Sequence, residues 1–139
     1  MKKLILFFFL LLPFFWACSD NETLSGKPEN DVDAARMFIR SALDGRWKDA
    51  RKLIVEDSAN VDDLEVAERN YTERMTAMDQ RGYREAQITI HDTRKINDST
   101  TVVIYSNTFK KERDSVKAVI VNGDWLVDLK YSFPNTNRQ

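Results

Sequence analysis

Ser115-Val116-Lys117-Ala118-Val119-Ile120-Val121-Asn122-Gly123-Asp124-Trp125-Leu126-Val127 is the stretch that decides the fold. Two runs rich in β-branched and aromatic residues flank an Asn-Gly pair. Asn122 and Gly123 both tolerate positive φ, which a tight two-residue turn demands, so the stretch reads as an antiparallel hairpin. Its second strand, Trp125 to Phe133, stops at Pro134, which has no N–H for a ladder. Upstream, Lys110 to Asp114 is a charged loop and Thr100 to Phe109 is another β-branched, aromatic run. Ile96-Asn97-Asp98-Ser99 is a turn, and Gln87 to Thr93 alternates with Ile88 and Ile90 on one face. The result is a four-stranded meander. Ile88, Ile90, Val102, Ile104, Val119, Val121, Val127 and Leu129 are candidates for its buried side, with the parity of each strand left open.

Before Gln87 the period is helical. Ala34, Ala35, Phe38, Ile39, Ala42 and Leu43 recur at helical spacing from Asp31 to Leu43, with Asp31 or Asp33 as cap and Gly45 as terminator. A short helix carries Trp47, Ala50, Leu53 and Ile54. After a turn at Asp57-Ser58-Ala59-Asn60, a third helix runs from Asp62 to Asp79. Its apolar face is Leu64, Ala67, Tyr71, Met75 and Met78, and Gly82 closes it. Helices followed by a meander predict an α+β fold, with N-terminal helices packed on one face of a four-stranded antiparallel sheet.

The N-terminus follows a different logic. Met1-Lys2-Lys3 is basic, Leu4 to Leu12 is unbroken apolar sequence, and Ala17 precedes the chain's single cysteine, Cys18. This is the order of an export signal, and the apolar run is short for a membrane span of about 20 residues. Phe15-Trp16-Ala17-Cys18 resembles the lipobox of bacterial lipoproteins at Ala17 and Cys18, and departs from it at Phe15 and Trp16. The resemblance implies a signal peptide over 1–17, cleavage before Cys18, lipidation of its sulfur and an outer-membrane location in the cell envelope. An ordinary signal peptide or a short membrane anchor, with Cys18 incidental, is the alternative. Ser19-Asp20-Asn21-Glu22 partly resembles a surface-export tag, which favours the cell surface over the periplasmic side. Residues 18–30, with Gly26 and Pro28, read as a tether, and 134–139 as a tail.

The formal net charge is −1, and about −3 once the two lysines of the signal are removed. No bulk charge attracts nucleic acid.

Within 31–133 a further resemblance emerges. Ala35-x-x-Phe38-x-x-Ser41-Ala42-x-x-Gly45-x-Trp47-x-x-Ala50-x-x-Leu53 resembles the opening helix pair of the nuclear transport factor two-like superfamily. The hairpin around Asn122-Gly123-Asp124-Trp125 resembles its last hairpin. In particular it is similar to lipoproteins of that superfamily carrying a cystatin-like domain of unknown function. This implies a bent sheet wrapped around helices as a cone with an apolar pocket, and it permits a homodimer through the sheet's outer face. Fold analogy does not fix function, and no catalytic motif of the superfamily's enzymes matches residue by residue.

Candidate chemistry is sparse. His91 is the only histidine, and its ordinary pKa of about 6.5 suits proton transfer. Its parity is opposite to Ile88 and Ile90, which points it to solvent. Asp128 alternates with Val127 and Leu129 and reads as solvent-facing beside Lys130, or as a base inside the cone if the faces are inverted. Tyr71, Tyr105, Trp125, Tyr131 and Trp47 suit either a core or a pocket lining. Asp62-Asp63 are adjacent and do not face one another on a helix, so no metal or other cofactor is expected. Neither a Gly-x-Ser-x-Gly elbow nor a phosphate-binding glycine loop occurs. The expected function is a membrane-anchored binding module, without catalysis, for a small apolar ligand or an envelope protein. The alternatives are a cyclase- or isomerase-type enzyme using His91 or Asp128 with a tyrosine, and a structural component of an envelope complex.

Overall fold

The structure, a computed structural model, describes residues 26–131. The signal, Cys18, most of the tether and Pro134 lie outside the described residues. The order is α1 (Asp31–Leu43), α2 (Trp47–Arg51), α3 (Ser58–Arg69) with a π-helical turn (Asn70–Arg74), α4 (Ala77–Glu85), β1 (Ile88–Asn97), β2 (Thr100–Asn107), β3 (Asp114–Val121) and β4 (Asp124–Asp128). The helices pack against an open antiparallel sheet of order β1-β2-β3-β4. Among the described residues, no helix is long and apolar enough to cross a membrane.

α1 touches all four strands and forms the middle of the core. Ala35, Phe38, Ile39 and Leu43 pack with Val103, Val116, Val127 and Leu129. Its cap is Asn30, not Asp31 or Asp33: the Asn30 side chain accepts from Asp33 N at 2.9 Å, and the Asp33 carboxylate reaches back to Glu29 N at 3.0 Å. Gly45 (φ +71°) ends the helix, and a Cβ there would meet the Tyr71 ring at 2.9 Å. Arg40 fastens α4, donating to Ala86 O (2.6 Å), Tyr83 O (3.1 Å) and Arg84 O (3.2 Å) while pairing with Asp44 at 2.7 Å. Those carbonyls lie at a helix C-terminus, where unpaired acceptors favour a cation.

Several expectations need correction. The long third helix is two. Met75 is extended (ψ 140°), and Thr76 caps α4 by accepting from Asp79 N. Gly82 lies inside α4 rather than closing it, because the Phe109 ring sits where its Cβ would be, with Tyr83 and Phe109 centroids 4.9 Å apart. Asp57-Ser58-Ala59-Asn60 is a helix start, with Asp57 accepting from Asn60 N at 2.9 Å.

The strand faces also differ. Ile88 and Ile90 face the helices, but a bulge at His91 exchanges the faces of β1 beyond it. In β2 and β3 the helix-facing residues are Val103, Tyr105, Val116 and Ala118. Val102, Ile104, Val119 and Val121 therefore line the opposite, outer face. Val102 is nonetheless buried there, between its cross-strand neighbours Arg94 and Lys117, whose aliphatic stems can cover it.

The two sheet edges are handled differently. Beside β4, Val55 N donates to Val127 O (2.9 Å) and Val127 N to Leu53 O (2.8 Å), so Leu53–Val55 covers the edge. Among the described residues β1 is an open edge, but a charged one, and Asp92 Oδ1 accepts from Thr93 N at 2.8 Å. This blunts the edge against further strands.

Lys130 Nζ (2.6 Å) and the Asn60 backbone hold the Asp57 carboxyl down at about 2, against an ordinary 3.8. A depressed carboxyl stabilises the fold above its unfolded value and loses that effect as pH falls toward its folded one. The stability gap between native protein and Asp57→Asn, from urea titrations, should hold above pH 5 and close between about pH 4 and 2. Gly82→Ala should gain about 1 kcal/mol of helix propensity only when the ring is absent. In native protein, displacing Phe109 from Tyr83 costs about 0.5–1.5 kcal/mol. The substitution should therefore be near neutral alone and clearly stabilising in a Phe109→Ala background.

Candidate functional site

A half-enclosed apolar pocket of about 130 Å³ lies between α1, the segment from Trp47 to Ala67 and the inner sheet face. Phe38, Ile39, Leu43, Leu64, Val116 and Leu129 wall it, while the small side chains of Ala42 and Ala67 leave the space. Register explains the sheet side. Tyr105 pairs with Asp114, and Val103 with Val116, so all four project to the helix face.

The polar groups here are few. Tyr105 Oη donates to Asp114 Oδ2 over a long 3.4 Å. Burial first, and then the Asp114 carboxylate, push the Tyr105 phenol well above its ordinary value, so it remains a neutral donor. Trp47, edge-on to Tyr71 at 5.6 Å, lines the pocket with its Nε1 shielded from solvent and without an acceptor.

The other candidates are dispersed. His91 is exposed, and its Nε2 lies 2.8 Å from Ser106 Oγ on the outer face. Asp128 is also on that face, but it is buried rather than solvent-facing, held by Lys117 at 2.7 Å with Lys130 at 3.8 Å. Tyr71 is buried behind Trp47, its hydroxyl 3.5 Å from Leu43 O. Tyr131 is exposed, with Lys117 Nζ 6.0 Å from its ring centre. Trp125 lines a separate depression with Gly26, Lys27 and Pro28, where Lys27 pairs with Asp124 at 2.5 Å. Of the aromatic residues singled out from sequence, the structure brings Tyr105 and Trp47 to the pocket. His91, Asp128 and a tyrosine do not converge.

A larger groove of about 580 Å³ is lined by Lys48, Arg51, Lys52, Glu56 and Asp124 over Ile54, Val61 and Leu126. Arg51 and Lys52 are engaged by Glu65 (3.1 Å) and Asp49 (3.0 Å). Charged side chains rim this groove, whereas the smaller pocket is walled mostly by core residues. Among the described residues, no group of three or more His, Cys, Asp or Glu is placed to hold a metal ion.

Sequence reasoning missed Asp114, which reads as part of a loop. The signal was parity: Asp114 shares a face with Val116 and Ala118. No family model matches this chain, and no curated protein or solved structure shows significant similarity to it.

If the pocket is empty space within the core, filling it stabilises. Ala67→Leu should raise unfolding stability by about 0.5–2 kcal/mol, read as a higher urea midpoint at unchanged slope.

Proposed function

We propose that this chain is a lipid-anchored envelope protein whose folded domain binds one small apolar group. The pocket beneath α1 carries the reading. A core cavity of about 150 Å³ takes up benzene, whereas drug-sized ligands need about 300–1,000 Å³. At about 130 Å³ the pocket is matched to one ring or one branched aliphatic group.

Placement supports the same reading. Lys27, at the end of the tether, pairs with Asp124 at one end of the sheet. Asp114 and Leu129, at the pocket, lie toward the other end of β3 and β4. The eight residues of β3 span roughly 23 Å at about 3.3 Å per step. A tether from a lipidated Cys18 that arrives at Asp124 leaves the pocket end facing away from the bilayer. The acidic Ser19–Glu22 stretch favours the cell surface. The bulges at His91 and Ile96 increase local twist, which is compatible with the bent, cone-like sheet expected from the sequence. Binding is favoured over cyclase- or isomerase-type catalysis because His91 and Asp128 sit across the sheet from the pocket.

Benzene titrated into the full chain tests this. Saturable NMR shifts should concentrate on the methyl groups of Leu64, Val116 and Leu129, and Ala67→Leu should abolish them. Unchanged methyl signals in the native protein would refute the binding reading.

A further inference from the structure

Asp114 is the charged side chain on the wall of the pocket beneath α1. It shares the helix-facing side of β3 with Val116 and lies across the ladder from Tyr105. It is also exposed, so it stands at the mouth, where the apolar wall meets water. Two contacts hold its carboxylate there. Oδ1 accepts from Ser115 N at 2.7 Å, and Oδ2 lies 3.4 Å from the Tyr105 hydroxyl. Tyr105 is itself on the wall, so Oδ2 lies beside a pocket-lining ring. An ionised carboxylate offers about four acceptor positions, and these two contacts leave about half of them open. Among the described residues no cation pairs with it. Lys110, on the loop between β2 and β3, is engaged by Glu112 at 3.4 Å, and Lys117 by Asp128 on the outer face at 2.7 Å.

We propose that the ligand of this pocket is a small amine: its single ring or branched aliphatic group fills the apolar space, and its protonated nitrogen rests at the mouth on the Asp114 carboxylate. The inference rests on the binding reading above and names the ligand class. The walls supply contact area without regard to charge. Asp114 supplies selection by charge, because a charge-assisted hydrogen bond is roughly twice as strong as one between neutral groups, and the same carboxylate repels an anion. An ammonium carries three donors, enough to reach Oδ2 and to keep water on the rest. The pair forms at the rim, so neither partner bears the full cost of desolvation, and the gain is that of a partly screened ion pair.

Benzylamine, protonated at neutral pH, and ethylbenzene form the probe pair, since they have nearly the same shape and differ in NH₃⁺ against CH₃. Both are titrated into the full chain and into Asp114→Asn, followed by the methyl signals of Leu64, Val116 and Leu129. The substitution removes the charge at an exposed position and keeps an oxygen for the Ser115 N–H. The expected result is a loss of about fivefold for benzylamine in Asp114→Asn, as for a rim ion pair, with ethylbenzene changed by less than about twofold. Salt gives a second measurement that needs no substitution. Between about 0.01 and 1 M salt, benzylamine should weaken on the native chain by about threefold while ethylbenzene does not weaken, because salt screens charge. If neither probe binds the native chain, the binding reading itself fails and this inference with it. If both bind and benzylamine responds neither to salt nor to Asp114→Asn, the pocket reading stands and the amine inference is overturned. Equal weakening of both probes by the substitution with no effect of salt, or binding of ethylbenzene alone, overturns it in the same way.

Discussion

Asn60 is the side chain on which the two layers depend. It is fully buried, and its Oδ1 accepts from Leu129 N at 2.6 Å while its Nδ2 donates to Asp57 Oδ2 at 3.0 Å. One residue thereby joins the start of α3 to the chain just beyond β4. An amide can do this because it offers acceptor and donor at once. Truncating it would leave a buried backbone N–H with no partner, a larger penalty than the bond's net contribution. The arrangement also positions the pocket, because Leu129 and Leu64 both wall it. The flanking Lys130–Asp57 pair at 2.6 Å is more exposed, and contributes less.

The sheet then needs little else to define its limits. One edge is covered by Leu53–Val55 on β4, through two backbone hydrogen bonds. The other carries Asp92, Arg94 and Lys95, with Asp92 placed over the Thr93 N–H. α1 crosses all four strands and transmits the position of one edge to the other. Arg40 extends that control to α4, gathering three carbonyls that would otherwise be left at a helix end.

Local chemistry made most of the elements legible in the sequence. Asn122-Gly123 located the last hairpin, and the apolar repeat over Asp31–Leu43 gave α1 its observed bounds. Long-range constraints were harder to read. Val102-Val103-Ile104 is β-branched at three consecutive positions, so a period of two cannot choose the inward face. Pairing chooses it, through Val103 opposite Val116. A single extra residue at His91 then reverses β1, which no alternation rule can detect from one strand. Gly82 looked like a terminator because its reason for being glycine, the Phe109 ring, comes from 27 residues downstream. The helix breaks at Met75-Thr76, where Met75 is extended and Thr76 caps the helix that follows.

The candidate site was legible by residue type and illegible by position, and the difference has a physical cause. Aromatic residues suit cores and pockets alike, so composition alone could not separate Tyr71, behind Trp47, from Tyr105, at the pocket. What separates them is the space left beside them. Ala42 and Ala67 are small where the facing walls are large, and close packing normally removes such a gap. A void in a core forfeits contacts and costs stability in proportion to its volume. Its apolar walls and that unfilled volume distinguish the pocket from the larger groove, which Lys48, Arg51, Lys52, Glu56 and Asp124 line.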